Sequence, residues 1–212
     1  MISNYNEFKE FITTIDKSNK PSLLLHACCA PCSSHTIMVL MEYFDITIFY
    51  SNDNIEPIEE YNKRLDEIIK FTNNFNIKVI YDEYNNKDYH NAVKGYEHLG
   101  EKSERCYKCY SLRLRKTAIK AKELNFDYFT TTLSISPFKV TRWINEIGYQ
   151  CQEEFNVKYL FSDFKKEDGY KDSIKLSSEY NLYRQDYCGC MYSKQERIEA
   201  IERDKRNKDI KS

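Results

Sequence analysis

Seven of the eight cysteines in this 212-residue sequence stand in three tight groups. Cys28, Cys29 and Cys32 follow the apolar run Leu23-Leu24-Leu25, Cys106 and Cys109 form C-Y-K-C, and Cys188 and Cys190 form C-G-C. Cys29 and Cys32 alone read as a C-x-x-C redox pair at a strand-to-helix turn, where a helix N-terminus lowers a thiol pKa. A thiol-disulfide oxidoreductase needs only that pair, and Cys28 and both downstream pairs are then left without a task. Structural zinc takes four thiolates in a closed tetrahedron, too few to use seven. A [4Fe-4S] cluster also takes four, from separate segments if need be, and leaves three. Three thiolates around a second metal leave one coordination position open for chemistry. Neighbouring side chains on extended backbone point opposite ways, so C-C and C-G-C can each divide between two centres. Spacing alone does not say which cysteine serves which.

Composition narrows the setting. Lys plus Arg number 32 and Asp plus Glu 33, so any contact with a polyanion must be a local patch. Residues 102–122 supply one, with eight basic residues against the single acid Glu104. The 18 Tyr and 12 Phe suit either stacking on bases or the margins of a core. No apolar run is long enough to cross a membrane, and residues 1–20 lack the pattern of a secretory signal. The expectation is a cytoplasmic protein, in which closely spaced cysteines serve metal or catalytic chemistry more than disulfides.

Strands and helices alternate along the chain. Strands are expected at 23–27, 45–50, 77–81, 127–133 and 157–161, and helices at about 33–44, 56–75, 107–124, 140–155 and 169–180, with a short helical piece at 89–94. Residues 1–20 read as a short helix or loosely held arm, and Ser193-Lys194-Gln195-Glu196 as a capping box opening a last helix. The fold class is α/β: one domain over 1–212, with a mostly parallel sheet of about five strands and helices on both faces. Ligands in such sheets bind beyond the carboxyl ends of the strands, where the first cysteine turn and the Thr130-Thr131-Thr132 segment both emerge. Cys151 falls on the apolar stripe of its helix with Ile144 and Ile147, which gives it a packing role.

Six segments together carry a family resemblance: H-A-C-C-A-P-C-S at 26–33, F-Y-S-N-D-N-I at 49–55, E-E-Y-N-K-R at 59–64, R-C-Y-K-C at 105–109, F-D-Y-F-T-T-T-L-S-I-S-P at 126–137 and Y-R-Q-D-Y-C-G-C at 183–190. In this order they resemble the cobalamin-independent epoxyqueuosine reductases of the QueH type, over roughly 22–194. The resemblance implies a Rossmann-like (HUP-like) domain, a [4Fe-4S] cluster, a nearby mononuclear iron, and reduction of epoxyqueuosine to queuosine at the wobble position, 34, of tRNA. It places the family's metal-binding cysteines on Cys28, Cys29, Cys106, Cys109, Cys188 and Cys190, with Cys32 as a further metal ligand where some members carry a carboxylate. The sequence departs from the family's pattern at Asp53, where proline is more usual, at Phe138, and at Asp186, where asparagine is commoner.

Reducing an epoxide to an alkene takes two electrons and two protons and releases the oxygen as water. A cluster passes electrons singly, and a metal with an open position can act as a Lewis acid, so the pair suits the reaction. An external donor, ferredoxin- or flavodoxin-like, is required. Tyr187, Tyr107 and His26 are the candidate proton donors nearest the thiols in sequence. The tRNA, with a GUN anticodon, must extrude its modified base, which calls for phosphate contacts and aromatic stacking. Arg105, Lys108, Arg113 and Arg115 are the phosphate candidates, Tyr107 and Tyr110 the stacking candidates, and Thr131, Thr132 and Ser134 the hydroxyls that could read the cyclopentane diol. A rival is a cluster-dependent tRNA-modifying enzyme of another chemistry. One that hydrolyses ATP would need a glycine-rich phosphate loop, and C-C-A-P-C-S-S has no glycine.

Overall fold

The structure, a computed structural model, describes residues 1–209. Five strands, β1 (Ser22–His26), β2 (Asp45–Tyr50), β3 (Lys78–Tyr81), β4 (Tyr128–Thr131) and β5 (Lys158–Tyr159), form one sheet in the order β3-β2-β1-β4-β5. All four pairings are parallel, which requires helical crossovers. The helices are α1 (Tyr5–Thr13), α2 (Ala30–Leu40), α3 (Ile58–Asn73), α4 (Asn86–Val93), α5 (Glu104–Glu123), α6 (Thr141–Phe155), α7 (Gly169–Glu179) and α8 (Met191–Asp209).

Alternation along β1 divides the core in two. Leu23 and Leu25 join Ile48, Ile37, Ile68 and Phe164 on one face, under α1, α2 and α3. Leu24 joins Phe49, Phe129, Leu114 and Ile144 on the other, under α5 and α6. Strands buried on both faces read as continuous apolar runs, as Leu23-Leu24-Leu25 does. Cys151 lies in the second cluster, buried among Ile144, Ile147 and Tyr159.

The order of connections reverses at β1, which runs to β2 on one side and pairs with β4 on the other. That makes the carboxyl ends of β1 and β4 the switch point where a ligand crevice opens. His26 pairs in register with Thr131, so the cysteine turn and the Thr132–Ile135 turn leave the sheet side by side.

Several boundaries differ from expectation. α2 begins at Ala30 rather than Ser33, because Pro31 is compatible with a first helical turn, so Cys32 lies inside the helix. β4 ends at Thr131 and gives way to a single 3-10 turn, and β5 keeps only two residues. α8 begins at Met191, and the capping box is not formed: Ser193 Oγ donates to Cys190 O, while Glu196 pairs with Arg105. The N-terminal segment is no loose arm, since Phe8 and Ile12 on α1 are buried in the first core cluster.

Candidate functional site

α2 opens without a side-chain cap. Cys29 is its N-cap residue, in extended conformation, and a bend at Cys28 turns that thiol back toward the helix start. The three Sγ atoms of Cys28, Cys29 and Cys32 lie within 4.8 Å of one another, with Cys28 and Cys29 3.8 Å apart. Alternating orientation therefore does not separate this pair, because the chain has left the strand by Ala27. Unpaired N–H groups and the helix dipole favour negative charge at such a helix start.

The remaining four thiols come from α5 and the segment before α8. Cys106 and Cys109 are three apart on α5 and share its buried face with Arg113. Cys109 packs with Cys190, Tyr89 and Val93. Gly189 lets C-G-C divide: Cys188 lines a cavity of about 650 Å³ with Cys28 and Cys32, while Cys190 is buried against Cys109. Gly189 has φ +123, and a Cβ there would meet Arg64 Nη1 and Ile55 Cγ1, each at 2.9 Å. A side chain at this position is excluded twice over, by backbone conformation and by space.

Cations surround the thiols. Lys139 Nζ donates to Cys188 Sγ at 2.9 Å, and Arg64 Nη1 donates to Cys188 O at 3.1 Å. Arg113 is buried beside Cys109, Cys28 and Cys188 and has no carboxylate partner among the described residues. It donates instead to His26 Nε2 at 3.3 Å and to Asn52 Oδ1. Gln185 Nε2 donates to Cys29 Sγ at 3.0 Å. Hydrogen bonds from Cys29 and Cys32 hold the Cys28 thiol well below its ordinary range, while Cys29 is pushed up to about 12 by its bond with Cys28. Cys32 is raised by the same two neighbours. A bound metal would take the three as thiolates and release their protons.

The donor set fits a metal centre. Cys28, Cys29 and Cys32 form one group close enough to share an ion, and two buried donors near the thiols, the Tyr110 hydroxyl and Arg64 Nη2, have no hydrogen-bond partner among the described residues. Donors without a protein acceptor beside thiols suit a sulfur-rich anionic group, whose potential such contacts tune.

The residues singled out from sequence are distributed differently from expectation. Tyr187 lines the cavity. His26 is buried behind it and its pKa is pushed down to about 3, first by burial and then by Arg113. Nε2 lies 3.3 Å from both Arg113 Nε, which donates to it, and Ser51 O, and Nδ1 lies 2.8 Å from Thr131 Oγ1. His26 is thus a neutral positioning group rather than an acid. Tyr107 turns away, bonding Glu146 at 3.1 Å and meeting Trp143 edge-on at 5.7 Å. Thr132 Oγ1 reaches to 4.0 Å of Cys28 Sγ, whereas Ser134 is committed to Ser162 and Phe164 inside the fold.

The basic helix faces inward. Arg105 is 3 % exposed and pairs with Glu196, Arg113 is 2 % exposed, and Tyr110 is 1 % exposed, so none of them meets a phosphate or a base in this conformation. Arg115 is exposed but held by Glu154, and Lys108 lies 3.6 Å from Glu104. Arg113 lies on the stripe that packs toward the sheet, bonded to His26, while Arg105 is buried against Glu97 O, Glu196 and Tyr192. Asp53 is buried and paired with Lys116, which fixes the 51–54 loop, and Asp186 pairs with Arg197 at 2.8 Å. Lys139, Gln185, Arg64 and Arg184 are not among the site candidates read from the sequence, and Phe138 enters there only as a departure from the family's pattern. Arg64 and Gln185 stand within the quoted segments, and Lys139 follows the turn at the end of β4, a place where ligand-binding residues gather.

No helix among the described residues is long and apolar enough to cross a membrane. The family model described as Epoxyqueuosine reductase QueH matches residues 23–196. The Epoxyqueuosine reductase QueH of Streptococcus pyogenes is 43 % identical over 183 residues, covering 84 % of this chain and 72 % of that relative. The one from Thermotoga maritima is 40 % identical over 181 residues, covering 84 % of this chain and 93 % of the relative. Among solved structures, the U34-tRNA thiolase NcsA from Methanococcus maripaludis with its [4Fe-4S] cluster superimposes with a TM-score of 0.52 at 16 % identity, over 89 % of this chain and 67 % of that one. At that identity the likeness speaks for the fold alone. Sequence identity over most of the length, with the thiol groups gathered at the switch point of the sheet, places the chain in a family: it belongs to the epoxyqueuosine reductase QueH family.

Proposed function

We propose that this chain reduces epoxyqueuosine to queuosine at the wobble position of a tRNA with a GUN anticodon, in the cavity lined by Cys28, Cys32 and Cys188. The observation that carries the reading is the convergence of Cys28, Cys32 and Cys188, from two distant segments, on one cavity of about 650 Å³, with Lys139 on the same wall and bonded to Cys188. The group of four, Cys106, Cys109, Cys188 and Cys190, suits a [4Fe-4S] cluster, and the triad Cys28, Cys29 and Cys32 suits a second metal with one position left open. When bound, the two centres supply electrons one at a time and a Lewis acid for the epoxide oxygen.

The chain's own groups supply the rest. Burial of Arg113 and Lys139 beside the thiols compensates accumulated negative charge and holds the cysteines in place. His26 fixes Thr131 at the end of β4, and through it the turn that carries Thr132 over Cys28. Tyr187 stands in the cavity wall with a hydroxyl able to donate to a departing oxygen. Leu133, Ile135 and Phe138 make part of that wall apolar, which keeps water from the reacting carbon atoms. The electrons come from an external ferredoxin- or flavodoxin-like donor.

The test is anaerobic purification followed by iron analysis, an absorption spectrum, and incubation with a strong reductant and tRNA from cells blocked at the last queuosine step. A brown protein with more than four irons per chain that forms queuosine, read by nucleoside mass spectrometry, supports the reading. A colourless protein that reduces disulfides and leaves the tRNA unchanged overturns it.

A further inference from the structure

Phe138 is 57 % exposed, yet its ring forms part of the wall of the thiol cavity. An isolated exposed phenyl elsewhere on a surface would need no explanation. This one is held from both sides. Its N–H donates to Ser136 Oγ at 3.3 Å, the following N–H of Lys139 donates to Ser136 O at 3.1 Å, and the Lys139 side chain is tied to Cys188. The backbone under the ring is therefore pinned to the site itself, and the ring's open face looks onto the cavity mouth.

Two cations stand there without carboxylate partners among the described residues. Lys102 Nζ lies 6.0 Å from the centre of the Phe138 ring. Arg184 lines the cavity 6.0 Å over the Tyr170 ring, and its guanidinium donates only to Ser173 O and Ser177 Oγ. Arg105, Arg115 and Arg197, by contrast, are each matched by a glutamate or aspartate. Free cations beside a rigid exposed ring make the combination that binds single-stranded nucleotides, with stacking on the π-face and charge on the backbone.

We propose that Phe138, Lys102 and Arg184 form a nucleotide clamp at the cavity mouth. Phe138 stacks on the face of the extruded modified base, and Lys102 and Arg184 take neighbouring phosphates of the anticodon loop. The clamp rests on the function proposed above and assigns the RNA contacts to these three residues instead of to the arginines of α5. Stacking tolerates any flat base, so selectivity for the modified nucleotide lies deeper in the cavity.

The test titrates purified holoenzyme with tRNA carrying epoxyqueuosine across a salt series, and measures KM and kcat on the same tRNA. Phe138→Ala is expected to raise Kd and KM about tenfold, with iron content and spectrum unchanged and Phe138→Trp restoring both. Lys102→Glu and Arg184→Glu are each expected to reduce the slope of log K against log salt by about 0.7. Kd and KM unchanged in Phe138→Ala, or a salt slope unchanged in the double charge reversal, overturns the clamp. If the wild type forms no queuosine but these variants still lose tRNA binding, the clamp stands and the reading of the reaction falls.

Discussion

Arg113 sits in the interior beside three cysteines and has no carboxylate partner among the described residues. An uncompensated buried charge costs about 3–5 kcal/mol, so the fold tolerates it only where anions collect. The Cys28 thiol beside it, held well below its ordinary range, is one such group, and a metal held by the cysteines would turn more of them into thiolates. Replacing Arg113 with methionine keeps the volume and removes the charge. The expected result is a cluster that is harder to reduce, with a more negative midpoint in an anaerobic redox titration and a lower iron content, while Arg113→Lys retains much of both. A midpoint unchanged in Arg113→Met would show that the thiols are balanced from elsewhere. The same scale shows how far composition misleads: Arg105 and Arg113 count toward a basic segment, but neither contributes to the surface.

At the scale of elements, α2 and α7 pack closely, and His35 lies between them with Asp172 Oδ2 3.7 Å away. Gly169 admits this packing, since a Cβ there would lie 2.7 Å from His35 Nε2 and 2.0 Å from Phe164 O. Burial lowers the His35 pKa more than Asp172 raises it. The folded state therefore resists a proton that the unfolded chain accepts, and His35 contributes stability above its unfolded pKa that is lost as pH falls below about 6.5. Thermal stability should drop on acidification from pH 7 to pH 5, and His35→Gln should flatten that slope. A slope identical in the two proteins would mean that the charge on His35 is free to form in the folded state.

For the whole molecule, the two core clusters share the sheet as a common wall, which favours unfolding in one step. α1 takes part in the first cluster: Phe8 meets Phe164 edge-on at 5.9 Å and Phe161 at 6.5 Å. Truncating Phe8 to alanine should cost about 3–5 kcal/mol, read as a lower urea midpoint in a single transition, with iron content unchanged. An unaltered midpoint would restore the picture of a loosely attached N-terminal arm. α8 behaves differently, since beyond Ala200 and Ile201 the residues up to Asn207 are exposed and few contacts hold that end.

The sequence by itself determined the alternation of strands and helices, the apolar run of β1, and the three cysteine groups at the points where elements meet. These are local properties, set by side-chain periodicity and by spacing over a few residues. It also placed the crevice, because parallel crossovers allow little choice about where the chain order reverses. Only the tertiary structure decided which stripe of α5 faces the thiols, and it turned Arg105, Arg113 and Tyr110 inward. Only the fold brought Lys139, Gln185 and Phe138 to one cavity with Cys28 and Cys32, and set Arg64 on the carbonyl of Cys188. A charged residue looks the same in sequence whether its partner is water, a carboxylate or a thiolate. The difference arises from the dielectric and the neighbours that long-range packing supplies.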